Sequence, residues 1–361
     1  MKNRKLNDCF LALVQLGIGH SPSFKPEKAD WEALRSLAAK HELAAVVLDG
    51  IDKSPELTAN LPKPIKMQWI GQTLLKVESR YTNYKKAIRS LARFYNRRGF
   101  KMMVLKGYAC SLNWPKPEHR PAGDIDIWLF GEQQKADDAL RQAAGQKFKI
   151  DETHHHHTVF CWHGFVVENH YDFLNVHHHK SNVELESILK ELGQDDSHYV
   201  EIEGERIYIP SANLHALFLL RHSMSNFAST GFHLRHLLDW AFFAEKHREE
   251  IDWAWLENQL EHFGMKKLYD IFNAISVEDL GFDIRTFSRA NVDRRLKERV
   301  LNDILSPEFD EKETGGFVKR AIFKYRRWKA NGWKHELCFS ESMLSAFWSG
   351  VWSHLLKPAS V

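Results

Sequence analysis

Cysteine is scarce in this chain, and its four copies, Cys9, Cys110, Cys161 and Cys338, are scattered with no C-x-x-C spacing. That distribution excludes a zinc-finger framework and a disulfide scaffold; reduced thiols and no structural disulfide are expected. Net charge is almost absent too: 50 Lys and Arg against 47 Asp and Glu give no reason to expect bulk attraction to nucleic acid or a membrane. No internal repeat or low-complexity linker divides the chain. Domain boundaries must therefore be read from changes of pattern.

Long uninterrupted apolar runs are missing as well. Phe347, Trp348, Val351, Trp352 and Leu355 form one stripe, but serines and His354 interrupt it, which points to a packed helix and not to membrane insertion. At the other end, Lys2, Arg4 and Lys5 precede an apolar stretch from Cys9 to Val14, superficially like a signal peptide. Asp8 and Gln15 break it and no clean cleavage site follows, while Phe10, Leu13, Val14 and Gly17 fit one helix face.

What is present is a globular chain. Its 361 residues, 43% hydrophobic, are enough for two or three domains with sizeable cores. Residues 1–99 read as a helical region, with Asp30 as an N-cap before Trp31, Leu34, Leu37 and Ala38. A long helix is expected from Ile65 to about Arg98, ending at Gly99, with Arg93, Arg97 and Arg98 on a solvated face. Residues 100–209 alternate between strand and helix: strands at Lys101–Leu105, Asp124–Phe130, Thr158–Cys161 and Phe165–Tyr171, a short helix at Tyr108–Asn113 and a crossover helix at Gln133–Ala144. A hairpin should turn at Glu203-Gly204. A mixed sheet with helices on one face is the economical arrangement. Residues 210–361 return to helix, with Ser211 and Asp252 as starts and a further helix after Gly231.

The densest chemical signal is Gly123-Asp124-Ile125-Asp126-Ile127. Strand side chains alternate faces, so Asp124 and Asp126 share a face, roughly 7 Å apart, opposite the two isoleucines. Two such carboxylates repel unless a divalent cation lies between them, and the pair suits Mg²⁺, which fills its remaining positions with water and phosphate oxygens. The chemistry implied is phosphoryl or nucleotidyl transfer. Upstream, Lys106-Gly107 forms a turn from strand to helix, where glycine lets backbone N–H groups approach a phosphate and Lys106 supplies positive charge. Arg120 is a candidate to grip phosphate bidentately at the mouth of this site.

Leu105-Lys106-Gly107 followed by Arg120-x-x-Gly123-Asp124-Ile125-Asp126-Ile127 resembles the DNA polymerase β-like nucleotidyltransferase superfamily, and within it a bacterial family described only as nucleotidyltransferase-like. The likeness extends to Val167-Glu168-Asn169-His170 and, more loosely, to Leu234–Trp240. It implies an α/β (α+β) fold: a polymerase β-like palm over 100–209, flanked by N- and C-terminal helical regions. It further implies a cytoplasmic enzyme that moves NMP from an NTP to an acceptor hydroxyl with two Mg²⁺ ions, Mn²⁺ being a substitute. The acceptor class is open: small molecule, RNA, sugar or protein.

In such a palm a third acid on a neighbouring strand completes the metal site. Glu168 is the candidate, with Asp172 and Asp151 behind it. Asp124, Asp126 and Glu168 would thus be catalytic and metal-binding, while Lys106, Gly107 and Arg120 would bind the nucleotide. The chain departs from the superfamily at Gly107-Tyr108, where Gly-Ser or Gly-Gly is usual. That departure motivates a rival reading, a nucleotide-binding regulatory protein without turnover. A third reading, an RNA-directed protein, draws on the basic and aromatic segment Lys319–Trp328.

Histidine is abundant at His154–His157, His163, His170 and His177–His179. Adjacent residues on a strand face opposite ways, so four consecutive histidines cannot all hold one ion, and no dedicated zinc site is expected. His155, His157 and His170 are candidates to line the cleft. Arg221-His222 and Arg235-His236-x-x-Asp239 fall on helices after the palm, where an Arg–Asp239 ion pair is the simplest expectation.

Overall fold

The computed structural model describes residues 2–21, 30–145, 148–177, 179–229, 231–287, 291–309 and 316–345. The apolar stripe at Phe347–Leu355 and His178 lie outside the described residues. Six short strands, β1 (Met103–Val104), β2 (Ile125–Trp128), β3 (His157–Trp162), β4 (Phe165–His170), β5 (Tyr199–Ile202) and β6 (Glu205–Tyr208), form one sheet in the order β3-β4-β2-β1-β6-β5. It is mixed, as expected. β2 runs parallel to β4 and antiparallel to β1, while β1 is parallel to β6 and two hairpins form the edges. The β5–β6 hairpin turns through Glu203 and Gly204, both at positive φ (48° and 82°), the backbone of a type I′ turn.

Period-two alternation sorts the sheet into two faces. Val104, Ile125, Ile127, Phe160, Val167 and Ile207 lie together with Tyr84, Ile88 and Leu91 of the helix Ser79–Asn96 and with Ala136 and Leu140 of the helix Gln133–Ala144. Met103, Leu105, Trp128 and Tyr208 belong to a second core with Phe173, Phe218 and the C-terminal helices. Trp128 packs on Phe173 at 4.6 Å, and Phe173 on Phe218 of the helix Ala212–Ala228 at 5.7 Å. The expectation of helices on one face is thus corrected: large apolar residues alternate onto both faces, and each is covered.

The N-terminal segment Lys2–Ile18 is a helix with Phe10, Leu13 and Val14 fully buried. Asp30 caps Trp31–Lys40 through the backbone N–H of Ala33, and Asp252 caps Trp253–His262 through that of Trp255. Ser211 occupies the N-cap position before Ala212–Ala228, but its hydroxyl makes no capping bond. The long helix expected over 65–98 is present as Lys63–Gln72, a π turn over Thr73–Glu78 and Ser79–Asn96. In the basic segment, Phe317–Ala330 is helical; Phe323 packs on Phe309 at 5.6 Å, and Ile322 and Tyr325 are exposed. All four cysteines are free thiols. Among the described residues no helix is long and apolar enough to cross a membrane.

Candidate active site

β2 begins at Ile125, one residue later than the pattern suggested, so the two aspartates differ. Asp124 stands exposed just ahead of the strand, whereas Asp126 is 6% exposed within it. Asp126 is the register partner of Glu168 across the parallel β2–β4 pair, and both face the second core's side of the sheet. Two positions further on, Trp128 pairs with His170. Lys106 Nζ lies 2.7 Å from Asp126 Oδ1, and His170 Nε2 lies 3.4 Å from the same oxygen and 3.5 Å from Glu168 Oε2.

Burial would push the Asp126 carboxyl up, but the Lys106 ammonium and His170 outweigh it and hold it well below the usual carboxylate range. Asp124 shifts the other way: burial, then the charges of Glu168 and Asp126, raise it. Burial likewise disfavours the Lys106 cation, yet Asp126 and Glu168 hold it above an ordinary lysine. Three carboxylates thus face one ammonium and one imidazole, an arrangement with an acidic surplus.

Gly107 turns the chain from β1 toward the one-turn helix Tyr108–Ser111 at φ +51°. A Cβ there would lie 2.2 Å from the Tyr84 hydroxyl, which itself donates to the Asp124 carbonyl at 2.8 Å. The glycine is therefore required by a clamp on the acidic strand's entry. Arg80 tightens the same loop, donating to the Ala122 carbonyl at 2.8 Å while lying over the Phe165 ring. Tyr108 is buried in the core beneath the sheet, stacked on Tyr81, and does not line the cleft.

The acids open into a cleft of about 360 Å³. Helix Ala212–Ala228 contributes Leu219, His222 and Ser223 to its wall, and helix Leu234–Lys246 contributes Arg235, His236 and Asp239. Glu42, from the N-terminal region, reaches the same cleft. Arg120 lines it as well, but its guanidinium is engaged: Nε and Nη2 donate to the two oxygens of Asp239 at 2.7 and 3.0 Å. Arg235 joins Asp239 at 3.1 Å and also pairs with Glu42. Arg221 points elsewhere, bonded to Asn182 and Ser181. The expected Arg–Asp239 pair is present as Arg235–Asp239, four positions apart on one helix, and Arg120 joins it from 119 positions away, a partner that helix spacing could not supply.

Among the described residues, two clusters bring three ligand atoms close enough for one ion: Asp126 with Glu168 and His170, and His156 with His157 and His170. Asp124 belongs to neither cluster. Asp172 pairs with Lys190, and Asp151 is exposed and bonded to Thr153, so neither fallback acid joins the cleft.

A family model described as an uncharacterised nucleotidyltransferase matches residues 27–276, a span that holds the sheet, the acids and both helical walls of the cleft. The chain belongs to this nucleotidyltransferase family. No curated protein and no solved structure matches it. The acids and the Lys106-Gly107 turn form one wall of the cleft, and the helices after residue 210 build the opposite wall.

Proposed function

We propose that this nucleotidyltransferase moves an NMP group from an NTP to an acceptor hydroxyl, releasing pyrophosphate, with Mg²⁺ (or Mn²⁺) held by Asp124, Asp126 and Glu168. The observation that carries the reading is the acidic surplus: hard oxygen donors on one side of the cleft, with Asp124 pushed toward protonation by burial and then by the charges of Glu168 and Asp126. Such a donor set fits Mg²⁺. When bound, the two ions would supply positive charge to the α-phosphate and to the entering and leaving oxygens.

The chain's own groups do the rest. Lys106 faces the phosphates beside Asp126, and Gly107 keeps that corner free of a side chain. Glu168, on the strand next to Asp126, is placed to take the proton of the acceptor hydroxyl. His222, Ser223 and His236 shape the wall toward the base or acceptor. Arg120 acts through Asp239 as a positioning residue, since the Nε–Nη2 fork is already closed on that carboxylate.

The rival without turnover draws on the direct Lys106–Asp126 pair at 2.7 Å, which occupies an oxygen that a metal would use. It predicts NTP binding with no pyrophosphate release. The test is a thermal-shift series with each NTP, with and without Mg²⁺, alongside a pyrophosphate assay, on wild type and Asp126→Asn. Ligand at a hundred times its Kd stabilises the folded state by about 2.7 kcal/mol. That Mg²⁺-dependent gain should appear in wild type and vanish in Asp126→Asn. An undiminished shift in the variant sinks the metal assignment.

A further inference from the structure

The histidine run does not behave as a regular strand. Residues 154–156 bend, and β3 begins only at His157. The bend is pinned to the end of β4 by three bonds: Tyr171 and Asp172 both donate their N–H groups to the His156 carbonyl at 3.1 Å, and the Tyr171 hydroxyl donates to the His154 carbonyl at 3.0 Å. It cancels the alternation that would have sent His156 and His157 to opposite faces. Both rings instead meet His170, with centroids 5.5 and 5.1 Å away, and 4.3 Å from each other.

Three further observations point to a ligand here. The ligand nitrogens of His156, His157 and His170 lie within 4.8 Å of one another. His157 is 6% exposed, and its Nδ1 is buried with no hydrogen-bond partner. His170, 2% exposed, donates Nδ1–H to the Asp172 carbonyl at 3.1 Å, which turns Nε2 inward, where its proton now meets the Asp126 carboxylate and would leave on metal binding. Orientation of a ligating imidazole by a carbonyl on its other nitrogen is the usual outer-shell arrangement of metal-binding histidines.

We infer that His156, His157 and His170 form a site for one divalent cation that prefers nitrogen ligands, of the Zn²⁺ class, beside the carboxylate cleft and separate from the Mg²⁺ role proposed above. Three imidazoles are a borderline-soft donor set, which favours Zn²⁺, Co²⁺ or Ni²⁺ over Mg²⁺. The fourth position has carboxylates near it, since Glu168 Oε2 and Asp126 Oδ1 lie 3.5 and 3.4 Å from His170 Nε2. An ion on that nitrogen would replace its hydrogen bond to Asp126, so the two sites are neighbours coupled through that contact. The inference does not depend on nucleotidyl transfer.

The test uses the full-length chain stripped of metal and dialysed against limiting Zn²⁺ in a large excess of Mg²⁺, with metal content read by mass spectrometry. Wild type should retain a single equivalent of zinc. Removing a ligand should weaken retention by more than the roughly tenfold to hundredfold that outer-shell changes produce. His157→Ala is the first variant; His156→Ala, on the half-buried bend, is the second should the buried change impair folding. Co²⁺ in place of Zn²⁺ should give the intense visible absorption of a tetrahedral site, lost in either variant. Zinc retained equally by both variants, or lost only on changing His154 and His155 together, identifies adventitious binding by the histidine run and overturns the assignment. Failure of wild type to hold zinc against Mg²⁺ overturns it too.

Discussion

Two ionic clusters face each other across one cleft, and they are balanced differently. On the helical wall, Arg120 and Arg235 meet Asp239 and Glu42, two cations against two anions, with the Trp114 indole N–H donating to Asp239 at 2.9 Å as well. Arg120 and Asp239 are each 5% exposed, so the fork-to-carboxylate pair is closed to solvent. On the sheet wall, among the described residues, the close ionic partners of Asp126 and Glu168 are Lys106 and His170, and Asp124 stands beside them. The helical-wall cluster is balanced within itself, whereas the sheet-wall cluster carries surplus negative charge, and it is that surplus on which the proposed Mg²⁺ site rests.

The largest expected effect tests the closed side. Asp239→Ala leaves two guanidinium groups facing each other and strands the Trp114 N–H, so unfolding in denaturant should show a loss of about 3–5 kcal/mol. Asp126→Asn keeps an acceptor for Lys106 and relieves Asp124 of one like charge, so its loss should stay near 1 kcal/mol while transfer disappears. If Asp239→Ala proved stable but could not bind NTP, Arg120 would be a phosphate ligand and the contrast between the walls would collapse.

A smaller effect perturbs the open side without touching its charges. Gly107→Ala adds a methyl group 2.2 Å from the Tyr84 hydroxyl at φ +51°, which should cost about 2 kcal/mol and displace the Asp124 carbonyl from its clamp. Combining it with Tyr84→Phe removes the clash and should return part of that stability. No recovery in the double variant would place the strain in the backbone alone.

Local chemistry was legible in the sequence; long-range pairing was not. Period two located Ile125 and Ile127 in one core and Asp126 on the opposite side, and Glu203-Gly204 announced its turn because both residues must take positive φ. Gln133–Ala144 read as a helix from propensity and is one. The same alternation misjudged the histidines, because it assumes a regular strand and the Tyr171 and Asp172 bonds bend that segment. It also placed the two aspartates as equals, although one residue of strand length buries Asp126 and exposes Asp124. Arg120 gave no sign of its partner, since the Asp239 contact exists only after two remote segments pack. Glu42 gave no signal at all.

The smallest effect concerns a third ionic cluster, where balance depends on pH. His119 bridges the N-terminal helix Ala44–Asp52 and the π turn, with Nδ1 2.7 Å from Asp49 and Nε2 3.1 Å from Glu78, while Lys116 holds the other Asp49 oxygen at 2.6 Å. Burial works against the imidazolium, but Asp49 and then Glu78 outweigh it, and the pKa of His119 is raised. A cation favoured in the folded state contributes stability that is complete below the unfolded imidazole value and is lost as pH rises through the raised native one. Wild type should therefore lose about 1.5 kcal/mol more than His119→Gln between mildly acidic and mildly alkaline pH, the scale of a hydrogen bond to a charged group. Glu186, whose carboxyl burial pushes up to about 7, slopes the same way in both proteins and cancels in the difference. Parallel stability curves for the two proteins would mean that His119 is neutral in the fold and adds no charged contact to the docking of the N-terminal helices, which would then rest on apolar packing, Lys116–Asp49 and Arg235–Glu42.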